Sequence, residues 1–231
     1  MTTTLPRLKF LGQLGDLILK LNRDHPIRVA IDGLDAAGKT SLADELTPII
    51  KKSGRHVIRI SIDEFHRPRH ERYQRGEFSP EGYYYDSFDY QAIQKDVLKP
   101  LGPDGDCRYK RALFDFRSDT SITEPFYIAP EDAVLLMDGV FLLRPELLVY
   151  WDYRIFVMVE NEVALRRAIK RDHDLFASPE LIIKRYRQRY FPGQELYLQS
   201  ADPLSHADVI INNNTPEEPE VIFVNKQNGK I

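Results

Sequence analysis

Eight consecutive residues constrain this chain more than any other feature. Gly33-Leu34-Asp35-Ala36-Ala37-Gly38-Lys39-Thr40 fits the pattern G-x-x-x-x-G-K-[ST]. The motif stands between a short β-branched run, Ile27 to Asp32, and a stretch of helical pattern from Lys39 to Lys52. Glycines lacking a Cβ let successive backbone amides curl inward around phosphate oxygens, and the helix N-terminus adds partial positive charge. In that arrangement Lys39 reaches the terminal phosphates and the Thr40 hydroxyl ligates magnesium. Gly33 through Thr40, with Ser41 following, is therefore expected to bind ATP and Mg2+; a plain glycine turn is the alternative.

His56 to Ile62 reads as a second strand after that helix. Strand, loop, helix and strand in this order form parallel sheets, because the crossover helix returns the chain to the same edge of the sheet. Upstream, Leu11, Leu14, Leu17, Ile18 and Leu21 recur at helical spacing ahead of His25-Pro26. This N-terminal helix, Leu5 to Leu21, is free to cover the sheet or to pair with a second copy of the chain. From Phe65 to Pro130 prolines, glycines, aromatics and charges dominate, with a strand or hairpin expected at Arg108 to Phe116; this segment reads as a substrate lobe. Strands return at Ala133 to Met137, Tyr153 to Val159 and Ala207 to Ile211. Helices are expected at Glu162 to Asp172, capped by Asn161, and at Pro179 to Tyr190, with Pro192-Gly193 turning the chain toward the last strand. The class is α/β in one domain over residues 1–231, a central parallel sheet flanked by helices.

Thirty-two basic against thirty-five acidic side chains leave a net charge of −3, so nothing global favours nucleic acid or an anionic membrane. The most apolar stretches, Ala133 to Met137 and Val140 to Leu143, are split by Asp138-Gly139 and far short of the ~20 residues of a membrane span. One cysteine, Cys107, forms no internal disulfide, and the N-terminus lacks an export pattern. A reducing, cytoplasmic setting is expected.

Two carboxylates stand at strand ends. Asp138 closes an apolar run before Gly139, where it can meet magnesium or simply end a strand. Asp63 follows the second strand, and in parallel sheets the ligand crevice lies beyond the carboxyl ends of the strands. There it can accept a proton from an attacking hydroxyl; a helix cap or a place around the metal is the alternative.

In order along the chain, Gly33 to Thr40, Ser61-Ile62-Asp63-Glu64-Phe65, Tyr85-Asp86-Ser87-Phe88-Asp89, Leu113-Phe114-Asp115-Phe116, Met137-Asp138-Gly139 and Arg171-Asp172 resemble uridine kinase and phosphoribulokinase-like proteins. The resemblance covers most of residues 27–212 and implies a P-loop kinase fold with a substrate lobe (65–130) and a lid (171–200). It implies ATP-dependent phosphoryl transfer to a small-molecule alcohol, with Asp63 as the base and Thr40 and Asp138 on magnesium. Asp86 would bind a sugar diol, Phe114 and Phe116 would flank a base, and Arg171 would join Lys39 near the phosphates. Asp119 stands where related pyrimidine nucleoside kinases place a base-reading histidine, which implies a donor-rich base edge or a non-nucleoside acceptor such as pantothenate or a sugar phosphate. The segment after Arg171-Asp172, His173-Asp174-Leu175-Phe176, lacks the arginine-glycine lid motif of that family. A nucleotide-switched binding protein is the reading from a different class.

Other features carry two readings. Arg67, Arg69, Arg72 and Arg75 either clamp an anionic acceptor or form a solvated face. Tyr83, Tyr84, Tyr85, Phe88 and Tyr90 either wall a planar substrate or fill the core. His66 and His70 lack a third metal ligand. Asn225-Lys226-Gln227-Asn228 lacks the aspartate of a guanine-reading motif.

Overall fold

The computed structural model describes residues 3–172 and 178–224. The segment His173 to Phe176 and the Asn225 to Asn228 stretch lie outside the described residues. The chain runs β1 (Thr3–Thr4), α1 (Arg7–Leu19), β2 (Ile27–Gly33), α2 (Lys39–Lys52) and β3 (Val57–Ser61). A 3₁₀ turn at Ile62–Phe65 leads to α3 (Arg69–Arg72), α4 (Pro80–Asp86) and α5 (Tyr90–Ile93). Four two-residue strands follow: β4 (Arg108–Tyr109), β5 (Phe114–Asp115), β6 (Thr120–Ser121) and β7 (Tyr127–Ile128). Then come β8 (Val134–Asp138), α6 (Pro145–Leu148), β9 (Tyr153–Met158), α7 (Asn161–Arg171) and α8 (Pro179–Arg185). The chain closes with α9 (Phe191–Ala201), α10 (Pro203–His206), β10 (Val209–Asn212) and β11 (Glu220–Val224).

The main sheet has the order β1-β11-β10-β9-β2-β8-β3. Pairing is parallel from β10 to β3, and only the β11 and β1 edge is antiparallel. The expected mixed α/β class, with a mostly parallel sheet between helices, is the one observed. Residues alternate between two cores because successive strand side chains face opposite ways. Ala30, Ile58, Ile60, Leu135 and Met137 face an aromatic-rich cluster that includes Tyr84, Phe88, Phe141 and Tyr197. Val29, Ile31, Val57, Val134 and Leu136 face α1 and α2, where Phe10, Leu14, Ile18, Leu42 and Leu46 cover them. The N-terminal helix thus covers the sheet. No helix among the described residues is long and apolar enough to cross a membrane.

Several local expectations are corrected. The 108–116 segment is not one strand or hairpin: β4 pairs with β7 and β5 with β6, so it belongs to two separate ladders. Glu160, not Asn161, precedes the first turn of α7, and neither caps it through a side chain; the Glu160 amide instead meets Asn214 Oδ1 at 2.9 Å. Pro192-Gly193 does not turn the chain. Pro192 sits in the first turn of α9, where its missing amide costs nothing, and Gly193 packs where an added Cβ would lie 2.8 Å from Tyr83. The helical path through 179–201 is continuous, with a wide π turn at Tyr186–Tyr190. Ala207 to Ile211 is not the last strand: β11 follows it, carried by the apolar run Val221 to Val224, whereas β1 is two threonines with no apolar signal.

Candidate functional site

The phosphate loop leaves β2 at Gly33 and enters α2 at Gly38. Both positions require glycine. Gly33 has φ +147°, and a Cβ there would lie 2.1 Å from the Val157 carbonyl oxygen. Gly38 caps α2 at φ +91°, and a Cβ there would lie 2.7 Å from Asn213 Nδ2. Asn213 Nδ2 donates to the Ala37 carbonyl at 2.7 Å, while Arg167 Nη1 reaches the Ala36 carbonyl at 3.5 Å. Arg7 Nη1 in turn donates to Asn213 Oδ1 at 3.1 Å, so α1 and the segment after β10 both brace the loop.

Lys39 is buried and its Nζ donates to the Leu34 carbonyl at 2.6 Å. Burial lowers its pKa, while the charges of Asp35, Asp32, Asp138 and Asp63 act in the opposite sense. Thr40 Oγ1 donates to Asp138 Oδ2 at 2.6 Å. Asp138 sits at the carboxyl end of β8, in register with Ile31 on one side and Ser61 on the other. Its Oδ1 is buried and accepts no aligned hydrogen bond, although Arg59 Nη2 stands 3.0 Å away as an ion pair. Arg59 also holds Asp44 and the Leu136 carbonyl, an arrangement with no sequence signal beyond an arginine in an apolar strand.

Asp63 emerges in the turn after β3, held by its amide on Ser61 Oγ at 3.3 Å. Its side chain is 55% exposed, open to solvent on one side. Partial loss of solvation raises its pKa; Asp35 and Asp138 raise it further, and His66 and Lys39 oppose them. His66 Nδ1 donates to the Asp63 carbonyl at 2.9 Å. The imidazole is wedged between Phe88 and Phe116, with centroids 4.5 and 5.2 Å away, and burial lowers its pKa.

Two further aspartates of the loop region are held from distant helices. Asp32 is fully buried; it accepts from the Gly33 amide at 2.7 Å, from the Leu143 amide at 3.0 Å and from the Tyr197 hydroxyl. Loss of solvation pushes its pKa up to about 6 against those hydrogen bonds. Asp35 Oδ2 accepts from Tyr83 on α4 and Gln194 on α9, both at 2.6 Å. Nothing in the sequence pairs these residues, which are 48 and 159 positions apart from Asp35.

The substrate-lobe candidates are dispersed. Phe114 is buried and lines a cavity with Phe65, His66, Arg67 and Leu113, and Phe116 stacks on His66. Asp86 instead pairs with Arg75, Nε to Oδ2 at 2.8 Å. Asp119 accepts from the Arg69 amide and from Arg72 Nη2, both at 2.9 Å. Of the four arginines, Arg72 and Arg75 are thus spent on carboxylates. Tyr83, Tyr84, Phe88 and Tyr90 are core residues, while Tyr85 is exposed. Arg171 forks onto Asp172 at 2.6 and 2.9 Å and approaches the Tyr186 hydroxyl at 3.4 Å, whereas Arg167 is the arginine that touches the phosphate loop.

The donor set suits the groups that the loop implies. Hydroxyl and carboxylate oxygens of Thr40 and Asp138, one of them buried and short of an aligned partner, match a hard divalent cation such as magnesium. The Gly33 and Gly38 backbone leaves a cradle that side chains would fill.

The family model of the phosphoribulokinase/uridine kinase family matches residues 28–216. Uridine-cytidine kinase B of Dictyostelium discoideum is 24% identical over 188 residues, 81% of this chain and 74% of that one. Uridine kinase of Lactobacillus helveticus is 22% identical over 195 residues, 81% of this chain and 87% of that one. In fold, the chain is similar to a possible uridine kinase from Bacillus stearothermophilus, with a TM-score of 0.68 and 22% identity, covering 88% of this chain and 98% of that one.

Proposed function

The chain belongs to the phosphoribulokinase/uridine kinase family, and from that premise we propose that it transfers the γ-phosphoryl group of ATP to a hydroxyl of a small-molecule alcohol, a uridine-like nucleoside or a related acceptor. One observation carries the reading: Ser61, two residues before Asp63, lies in register with Asp138, and Asp138 holds Thr40 next to Lys39, so the candidate base emerges on the same sheet edge as the phosphate-loop lysine. A nucleotide switch has no use for a solvent-accessible carboxylate of raised pKa at that place.

In the proposed mechanism the loop amides from Gly33 to Ser41 bind the phosphates, and Lys39 exchanges the Leu34 carbonyl for a phosphoryl oxygen. Thr40 and Asp138 would hold magnesium, which supplies neutralising charge as the phosphoryl group moves. Asp63 takes the proton of the attacking hydroxyl, helped by a pKa raised toward the working pH. Phe114, Phe116 and His66 offer a flat apolar wall for a planar acceptor. Arg171 would add positive charge on the lid side on exchanging its fork on Asp172 for a phosphoryl oxygen.

The test is ADP release from ATP with and without added uridine, cytidine, pantothenate or ribose phosphates. Release that depends on the alcohol supports the kinase. Tight ATP binding with no alcohol-dependent release would move the chain to the nucleotide-switch class.

A further inference from the structure

The phosphate loop carries a carboxylate where incoming phosphates would repel one. Of the aspartates whose charge acts on Lys39, three have roles in the reading above or are saturated. Asp138 faces Thr40, Asp63 faces the reacting hydroxyl, and Asp32 is fully buried under three donors. Asp35 is left. Its Oδ2 is fixed by the Tyr83 hydroxyl and Gln194 Nε2, both from buried side chains, while its Oδ1 accepts no hydrogen bond among the described residues.

Those two anchors belong to α4, in the substrate lobe, and to α9, which packs against α4. Asp35 is also among the charges that act most strongly on both Lys39 and Asp63. Asp86, which the family resemblance offers for a diol, is not among them and is paired with Arg75. Asp119 is likewise occupied by Arg72.

We propose that Asp35 reads the acceptor: held at Oδ2 by Tyr83 and Gln194, it accepts at Oδ1 a hydrogen bond from a hydroxyl neighbouring the one that is phosphorylated. This rests on the kinase reading and narrows it to polyol acceptors, because an alcohol with a single hydroxyl leaves the carboxylate without its donor. An unmet charged acceptor in such a site costs about tenfold to a hundredfold in affinity.

Two acceptor pairs test it: uridine against 2′,3′-dideoxyuridine, and D-glycerate against 3-hydroxypropanoate. Each is assayed by ADP release in wild type, Asp35→Asn, Tyr83→Phe and Asp86→Asn, with ADP affinity measured by calorimetry. In wild type the polyol member of a pair is expected to win by about tenfold or more, chiefly through KM. Asp35→Asn should bring the pair within about threefold when both members are compared in the same variant, and Tyr83→Phe should do so in part. Preference unchanged in Asp35→Asn, preference lost only in Asp86→Asn, or loss of ADP binding together with acceptor binding would each overturn the assignment of Asp35. A folded wild type inert to all four alcohols and to cytidine, pantothenate and ribose phosphates overturns the kinase reading and this inference with it, a failure distinct from the others.

Discussion

Thr40 Oγ1 and Asp138 Oδ2 lie 2.6 Å apart although 98 residues separate them in the chain. The contact joins the first turn of α2 to the carboxyl end of β8 and places two hard oxygen donors side by side beneath the phosphate loop. A hydrogen bond to a charged group contributes only about 1.5–3 kcal/mol. Thr40→Val should therefore leave the fold intact while the magnesium concentration for half-maximal ADP release rises by about tenfold or more. A wild-type magnesium midpoint in this variant would make the pair purely structural.

Lys39→Ala should abolish alcohol-dependent ADP release with little loss of fold. Among the described residues the ammonium makes one hydrogen bond, to the Leu34 carbonyl, and its removal relieves the burial of a cation. Thermal unfolding that stays within a few degrees of wild type, about the effect of 1 kcal/mol, is the companion measurement. Normal turnover with an intact circular dichroism spectrum would remove Lys39 from the site.

Asp63→Asn keeps the shape of the side chain but takes up no proton, so ATP should still bind while turnover falls by about 10²-fold or more. The base works ionised and its pKa is raised, so kcat/KM should fall with decreasing pH through a limb above the ordinary carboxylate range. An acid limb at the ordinary carboxylate value, or turnover preserved in Asp63→Asn, would assign the residue to the turn after β3 alone.

Asp32 makes a stability prediction of opposite sign from most carboxylates. Its folded-state pKa, about 6, lies above the ordinary carboxylate value of 3.8, so the folded protein binds the proton more tightly than the unfolded chain. The contribution is complete below about pH 4 and is lost as pH rises through 6, amounting to about 3 kcal/mol over the window. Asp32→Asn lacks this titration but sets an amide NH2 among donors from Gly33, Leu143 and Tyr197, so it should be less stable at every pH. Urea unfolding of both proteins between pH 4 and 7 should show the wild-type advantage shrinking with pH; an advantage that grows would refute the burial argument.

The sequence by itself determined those parts whose physics is local. β2 and α2 were legible because Ile27 to Asp32 is a short, mostly apolar and β-branched run and Gly33 to Thr40 is a motif whose glycines have one backbone use. The parallel pairing of β2 and β3 with their partners followed from helices that must cross over between strands. Asp63 and Asp138 were legible as candidates because each ends a strand, and strand ends in a parallel sheet share one edge. Contacts between distant segments were decided only by tertiary structure. Tyr83 and Gln194 meet on Asp35, and Asn213 and Arg167 brace Ala37 and Ala36, because α4, α9 and the segment after β10 pack around the loop. Asp86 and Asp119 look alike in sequence as free carboxylates, yet Arg75 and Arg72 neutralise them in the fold. Residue type says what a side chain can bond to, whereas the packing of helices on the sheet decides which partner arrives first and which oxygen is left over.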